Sequence, residues 1–243
     1  WSDKSPNPRT SNNIVEELRT LLHKAEIPGP YIFVGHSFGG IIARIYANKY
    51  PKEVAGIILV DASNEKQAKI LPKPTDFLSR LLNFSCAHPF IIAASFIGLH
   101  RIFHLYNRGD TVFNEETHKA LTAKNSTVKF IKTLLEEWGA FEANLEEAKP
   151  YLTSLGNLPL IVVTANMVPS EESCAKHGHK FPDACNKAHK IWHELQRDLV
   201  AKSTNSKQIM AHQSGHIIQM DEPEIIVEAA RRMVVELSNI NQN

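Results

Sequence analysis

Ser37 lies in Gly35-His36-Ser37-Phe38-Gly39, a G-x-S-x-G stretch between an apolar run and a helical pattern. A serine hydroxyl is a poor nucleophile until a neighbour takes its proton, and an imidazole that titrates near neutrality does so best. The chain offers 12 histidines. His216 is the candidate base because it follows the last strand-like run, at the sheet edge where Ser37 also emerges. A third group must orient the imidazole and stabilise its charged form. For a serine on such a turn the chain order is serine, acid, histidine, so the acid is sought between residues 37 and 216 at a strand end. Asp61 follows Gly56–Val60 directly and is the preferred acid. Glu171 or Glu172 and, farther off, Asp183 are the alternatives. Asp221 comes after the histidine and reads as a cap for the last helix, ahead of Pro223. His36 should point away from the serine Oγ and reads as structural or pocket-lining. His88, His100, His104 and His118 read as solvated or packing residues.

These groups need a rigid frame. Tyr31–Val34 is a short aromatic and β-branched run, the pattern of a buried strand. Ile41, Ile42, Ile45 and Tyr46 then recur at helical spacing. Gly35 and Gly39 are read as the residues that let strand and helix approach closely and Ser37 adopt a strained backbone. Strand, tight turn and helix around G-x-S-x-G form a nucleophile elbow, with the serine at a helix N-terminus where the dipole favours negative charge. Upstream, Ser11, Asn12 or Asn13 caps a helix whose apolar face is Ile14, Val15, Leu18, Leu21, Leu22 and Ala25. Downstream, Gly56–Val60 is a continuous apolar run, as expected for a parallel strand covered on both faces. Strand, helix, strand at this period is a βαβ unit, so the class is α/β with a mostly parallel sheet and helices on both faces. Strand signals vanish from about Glu65 to Lys149 and resume at Leu160–Thr164 and Gln208–Ala211. A helix is expected from about Asp183 to Ala201, and a last one begins at Pro223. The organisation is thus a core in two parts, residues 1–64 and 151–243, interrupted by a helical cap insertion at 65–150.

Lys plus Arg is 27 and Asp plus Glu is 26, so the net charge is near zero. With no basic stripe carrying interleaved aromatics, nucleic acid is not the expected partner. No window reaches the roughly 20 apolar residues of a membrane span. Phe90–Leu99 comes nearest and runs into His100 and Arg101. No signal peptide pattern is present. The default expectation is a cytoplasmic location, with any signal or anchor outside this stretch. Cys174, His177, His179, Cys185 and His189 cluster in sequence, but their spacing matches no zinc pattern. A Cys174–Cys185 disulfide or free thiols are the alternatives, and Cys86 reads as a buried thiol.

Three segments together resemble the α/β-hydrolase superfamily: Gly35–Ala47, Gly56–Ser63 and Ser214–Glu224. The likeness is to bacterial hydrolases with a helical cap, and Trp192–Leu199 is also similar to that group. The resemblance implies an eight-stranded, mostly parallel sheet and Ser–acid–His chemistry. Ser37 then corresponds to the nucleophile and His216 to the base, and the backbone N–H of Phe38 supplies one oxyanion donor. In the family the acid usually follows the strand after the cap, although some members place it where Asp61 stands. The family chain also begins with several strands and a loop that gives the second oxyanion donor. Trp1–Pro30 does not read as those strands. The expectation is a fragment of a longer chain or a protein completed by a partner.

The implied activity is hydrolysis of a carboxylic ester or similar acyl compound through an acyl-enzyme, with no cofactor. A serine at the elbow argues against dehalogenase and epoxide hydrolase relatives, which use aspartate there. Phe90, Ile91, Phe96, Leu99 and Phe103 suit either a hydrophobic acyl or alcohol group or the packing of the cap onto the core. The rivals are a non-catalytic binding protein on the same fold and an amidase, lactonase or perhydrolase using the same triad, because cap and pocket, not a motif, decide the substrate.

Overall fold

A computed structural model describes residues 5–71, 88–96, 114–125, 127–167 and 183–240. They fall into two compact units, Trp1–Lys73 with Glu142–Asn243, and Pro74–Phe141.

The first unit holds a 4-stranded parallel sheet in the order β1-β2-β3-β4. The strands are β1 (Tyr31–His36), β2 (Val54–Val60), β3 (Leu160–Ala165) and β4 (Ser206–Ala211). β3 is buried along its whole length and β2 nearly so, which is why both read as unbroken apolar runs rather than alternating ones. Register fixes the two faces. Ile58, Val60, Ile161 and Val163 pack with Ala229 and Met233 in one cluster. Leu59, on the opposite face, lies under the helix that follows the elbow. β1 is an edge strand among the described residues, and its Val34 is 51% exposed.

α1 is Ser11–Lys24 and α2 is Gly39–Lys49, nearly all of it buried. α1 buries Val15 but leaves Leu21, expected on its apolar face, 61% exposed, whereas α2 buries its Ile41, Ile42, Ile45 and Tyr46. α1 is capped by Thr10, whose hydroxyl accepts from Asn13 N at 3.3 Å, one residue before the expected caps. Ser11 is instead the first helical residue, and it ties α1 to Asn144 through its backbone N–H and its hydroxyl. A short turn, α3 (Gln67–Ile70), follows the segment after β2.

Two helices of the second unit are α4 (His88–Phe96) and α5 (Glu115–Asn125), and α6 (Val128–Ala148) runs from this unit into the first. Phe90 and Phe96 are exposed and Ile91 is half-buried, while Leu99 and Phe103 lie outside the described residues. No described helix is long and apolar enough to cross a membrane. The remaining helices, α7 (Asp183–Val200), α8 (Ile218–Asp221) and α9 (Pro223–Ile240), belong to the first unit. Cys185, near the start of α7, is disulfide-bonded, and Cys86 and Cys174 lie outside the described residues.

Candidate active site

The turn from β1 to α2 holds Ser37 at φ +51, a conformation that side-chain-bearing residues rarely adopt. The surrounding backbone over-determines it. Ser37 N donates to Val60 O at 3.2 Å, and Ser37 O accepts from Gly40 N at 3.0 Å and from Ser63 N at 2.9 Å. A Cβ on Gly35 would lie 2.7 Å from Gly39 O, so a side chain there would collide with the backbone of the turn. The second tight glycine is not Gly39, as expected, but Gly40. A Cβ on Gly39 would meet open space, whereas one on Gly40 would lie 2.5 Å from Ala62 Cβ. The close approach is therefore between α2 and the segment that carries the acid.

Asp61 sits one strand over and is the second strained residue of the edge, at φ +40. Its N–H donates to Val163 O at 2.7 Å, one step on from the Ser37 N bond to Val60 O. The pattern continues along the sheet: Asn166 N donates to Ala211 O at 2.8 Å, and Met167 N to Ser214 O at 3.1 Å. Ser37, Asp61 and Asn166, each just past a strand, are thus held by the neighbouring strand. Neighbouring strands lie about 4.8 Å apart, so this ladder brings Ser37, Asp61 and the 211–216 segment to one edge.

The Asp61 carboxylate is buried, and three donors fix its two oxygens. Oδ1 accepts from Ala165 N at 3.1 Å and from the Trp192 indole N–H at 2.8 Å. Oδ2 accepts from His216 Nδ1 at 2.7 Å. A neutral His216 in this contact carries its proton on Nδ1 and presents Nε2 as an acceptor. The imidazole is 46% exposed beside a carboxylate that is 2% exposed.

The loop that delivers His216 is pinned from both sides. Glu222 accepts from Gln213 N at 2.8 Å and from Ser214 Oγ at 2.6 Å. Asp221 accepts from Gly215 N at 3.0 Å, so the carboxylate expected to cap the last helix tethers the histidine loop instead. His36 Nε2 donates to His216 O at 2.8 Å, and the two rings lie against each other at a tilt of 43°, with centroids 4.7 Å apart. Burial keeps the His36 pKa below its usual value, which favours the neutral, Nε2-protonated form this bond needs.

Residues not singled out in the sequence hold the acid segment from behind. On α7, Gln196 donates to Ala62 O at 2.8 Å. Asn64 donates to Leu195 O at 3.2 Å and to Asp198 at 3.0 Å. Arg44 of α2, fully buried, donates to Gly40 O at 3.2 Å, Ser63 O at 2.8 Å and Glu65 at 3.0 Å. Lys202 completes the pairing of Glu65 at 2.9 Å. Burial lowers the Arg44 pKa, opposed by Glu65. Burial raises that of Glu65, but Arg44 and Lys202 outweigh it and leave Glu65 below its ordinary value. An Arg inside an apolar helix carries a sequence signal, because a buried charge demands a partner, but the partner cannot be named without the fold.

The structure thus brings Asp61 and His216 into contact and sets Ser37 on the adjoining strand tip. It does not close the link from serine to histidine: among the described residues Ser37 Oγ makes no hydrogen bond. Phe38 lies at the N-terminus of α2 with helical φ and ψ. Glu171 and Glu172 lie outside the described residues, as do His177 and His179. Asp183 begins α7. No group of three or more potential metal ligands occurs among the described residues.

A model of the alpha/beta hydrolase fold family matches residues 1–85. YqjL of Bacillus subtilis, itself uncharacterised, is 28% identical over 226 residues, which cover 93% of this chain and 65% of that protein. A candidate epoxide hydrolase of Pseudomonas aeruginosa, in a variant form, superposes with a TM-score of 0.65 at 12% identity, covering 98% of this chain and 76% of that one. A thermophilic esterase from Thermogutta terrifontis does so with a TM-score of 0.53 at 17% identity, covering 97% and 75%. At such identities the solved structures speak to the fold. The chain has the α/β-hydrolase fold, and it spans less than two thirds of the length of YqjL.

Proposed function

We propose that this chain carries the catalytic centre of a serine hydrolase acting on a carboxylic ester or similar acyl substrate. The observation that supports this most is the buried Asp61 carboxylate held at 2.7 Å from His216 Nδ1, on the edge where the strained Ser37 emerges. In this reading Ser37 Oγ attacks the acyl carbon while its proton passes to His216 Nε2. Asp61 holds the imidazole in its tautomer and stabilises the imidazolium. The Phe38 N–H, at the positive end of α2, donates to the oxyanion. The imidazolium then protonates the leaving alcohol. Water, deprotonated by the same histidine, releases the acid and frees the serine. The shared fold of the Thermogutta terrifontis esterase is consistent with ester chemistry. The substrate is proposed to be a small acyl compound with a hydrophobic group.

A fluorophosphonate probe tests this directly. The folded protein is expected to label at Ser37, and Ser37→Ala to abolish labelling with the fold intact by circular dichroism. Folded protein that stays unlabelled at saturating probe would reject the reading.

A further inference from the structure

A second pair of imidazoles lies on α7, outside the proposed triad. His189 and His193 are one helical turn apart, and their rings approach with centroids 4.4 Å apart. Both Nε2 atoms converge, 3.2 Å from each other. Both residues are half-buried, so the pair is held by the helix yet open to solvent. Without a cation this contact is a hydrogen bond from one imidazole to the other.

The same convergence suits a metal ion. Two histidines at i and i+4 on one helix face are a recurrent metal-ligand spacing. With metal–nitrogen bonds of about 2.05 Å, two nitrogens 3.2 Å apart subtend roughly 100° at the metal, between the cis angle of an octahedron and that of a tetrahedron. We propose that His189 and His193 supply two ligands to a site for a divalent transition-metal cation of the kind that prefers imidazole: Cu2+, Ni2+ or Zn2+.

Trp192 lies between the two ligands in sequence, and its indole holds Asp61. A paramagnetic cation on the pair therefore has a nearby reporter. The test is calorimetric titration of the tag-free chain with Cu2+, Ni2+ and Zn2+ at neutral pH, paired with tryptophan fluorescence. The proposal expects saturable, stoichiometric binding, tightest for Cu2+. His189→Gln and His193→Gln should each weaken it at least about tenfold, because a chelate becomes a single contact. Trp192→Phe should keep the binding and lose most of the Cu2+ quenching. Absence of saturable binding overturns the proposal, as does binding that survives both glutamine variants unchanged. None of these readouts depends on turnover, so they stand apart from the hydrolase reading.

Discussion

Two side chains of the site sit in backbone conformations that cost about 1–3 kcal/mol each, Ser37 at φ +51 and Asp61 at φ +40. Both are held by hydrogen bonds to the next strand. The strain aims Oγ and the carboxylate off the same sheet edge. Asp61→Asn is expected to keep the fold and to lower kcat by about 10³–10⁴-fold, because an amide cannot both hold His216 in its tautomer and stabilise its charge. Trp192→Phe tests a finer point. It removes one of the two donors to Oδ1 and leaves the Ala165 N–H in place. A hydrogen bond to a charged group contributes about 1.5–3 kcal/mol, so kcat/KM is expected to fall about 10–100-fold, short of the Asp61→Asn loss. Steady-state ester hydrolysis by the two variants ranks them. Equal rates for Trp192→Phe and wild type would mean that the indole does not position the acid.

At the scale of elements, the site depends on how tightly α2 and α7 grip the segment after β2. Gly40→Ala would place a methyl 2.5 Å from Ala62 Cβ. It is expected to destabilise the fold by about 1–3 kcal/mol, as overpacking does, and to displace Asp61 in a crystal structure of the variant. The buried Arg44–Glu65–Lys202 group makes the same contact sensitive to pH. Glu65 is held below its ordinary carboxylate pKa by Arg44 and Lys202 against the effect of burial. The folded chain therefore binds the Glu65 proton less readily than the unfolded chain does. Its contribution to stability is complete above the ordinary carboxylate value and is lost as pH falls through the lower folded value. Urea unfolding across the acid range should show wild type losing stability more steeply than Glu65→Gln. Arg44→Ala should cost about 3–5 kcal/mol, since it leaves Glu65 buried with half of its pairing. A smaller loss would mean that Lys202 alone suffices.

At the scale of the molecule, Ser37, Phe38, Asp61, Trp192 and His216 all belong to the unit that also holds the sheet. A chain with residues 74–141 replaced by a flexible linker is therefore expected to fold, and to label with a fluorophosphonate at Ser37. Its preference among esters of different acyl length should flatten if residues 74–141 take part in substrate choice, which no motif of the sheet-bearing unit encodes. Retained selectivity in the shortened chain would place substrate choice in the sheet-bearing unit instead.

The elbow, the parallel strands and the candidate base are legible in the sequence because each rests on short-range pattern. G-x-S-x-G between an apolar run and a helical periodicity is one continuous stretch, and the β2 and β3 runs are apolar without alternation because both their faces are covered. Even Asp61 is visible as an aspartate at a strand tip, although its contest with Glu171, Glu172 and Asp183 is not settled by spacing. Other features depend on partners distant in sequence. Gly40, not Gly39, is the tight glycine because Ala62 lies over it, 22 positions away. Trp192 reads as an inward-facing helix residue, and only the packing of α7 turns its N–H toward Asp61, 131 positions away. Asp221 reads as a cap until the loop folds back and offers it Gly215 N–H. The sequence by itself determined the kind of fold and which residues could react, since periodicity and residue chemistry are local. Tertiary structure decided which carboxylate meets the imidazole and what holds it there, since those contacts join segments that only the assembled sheet brings together.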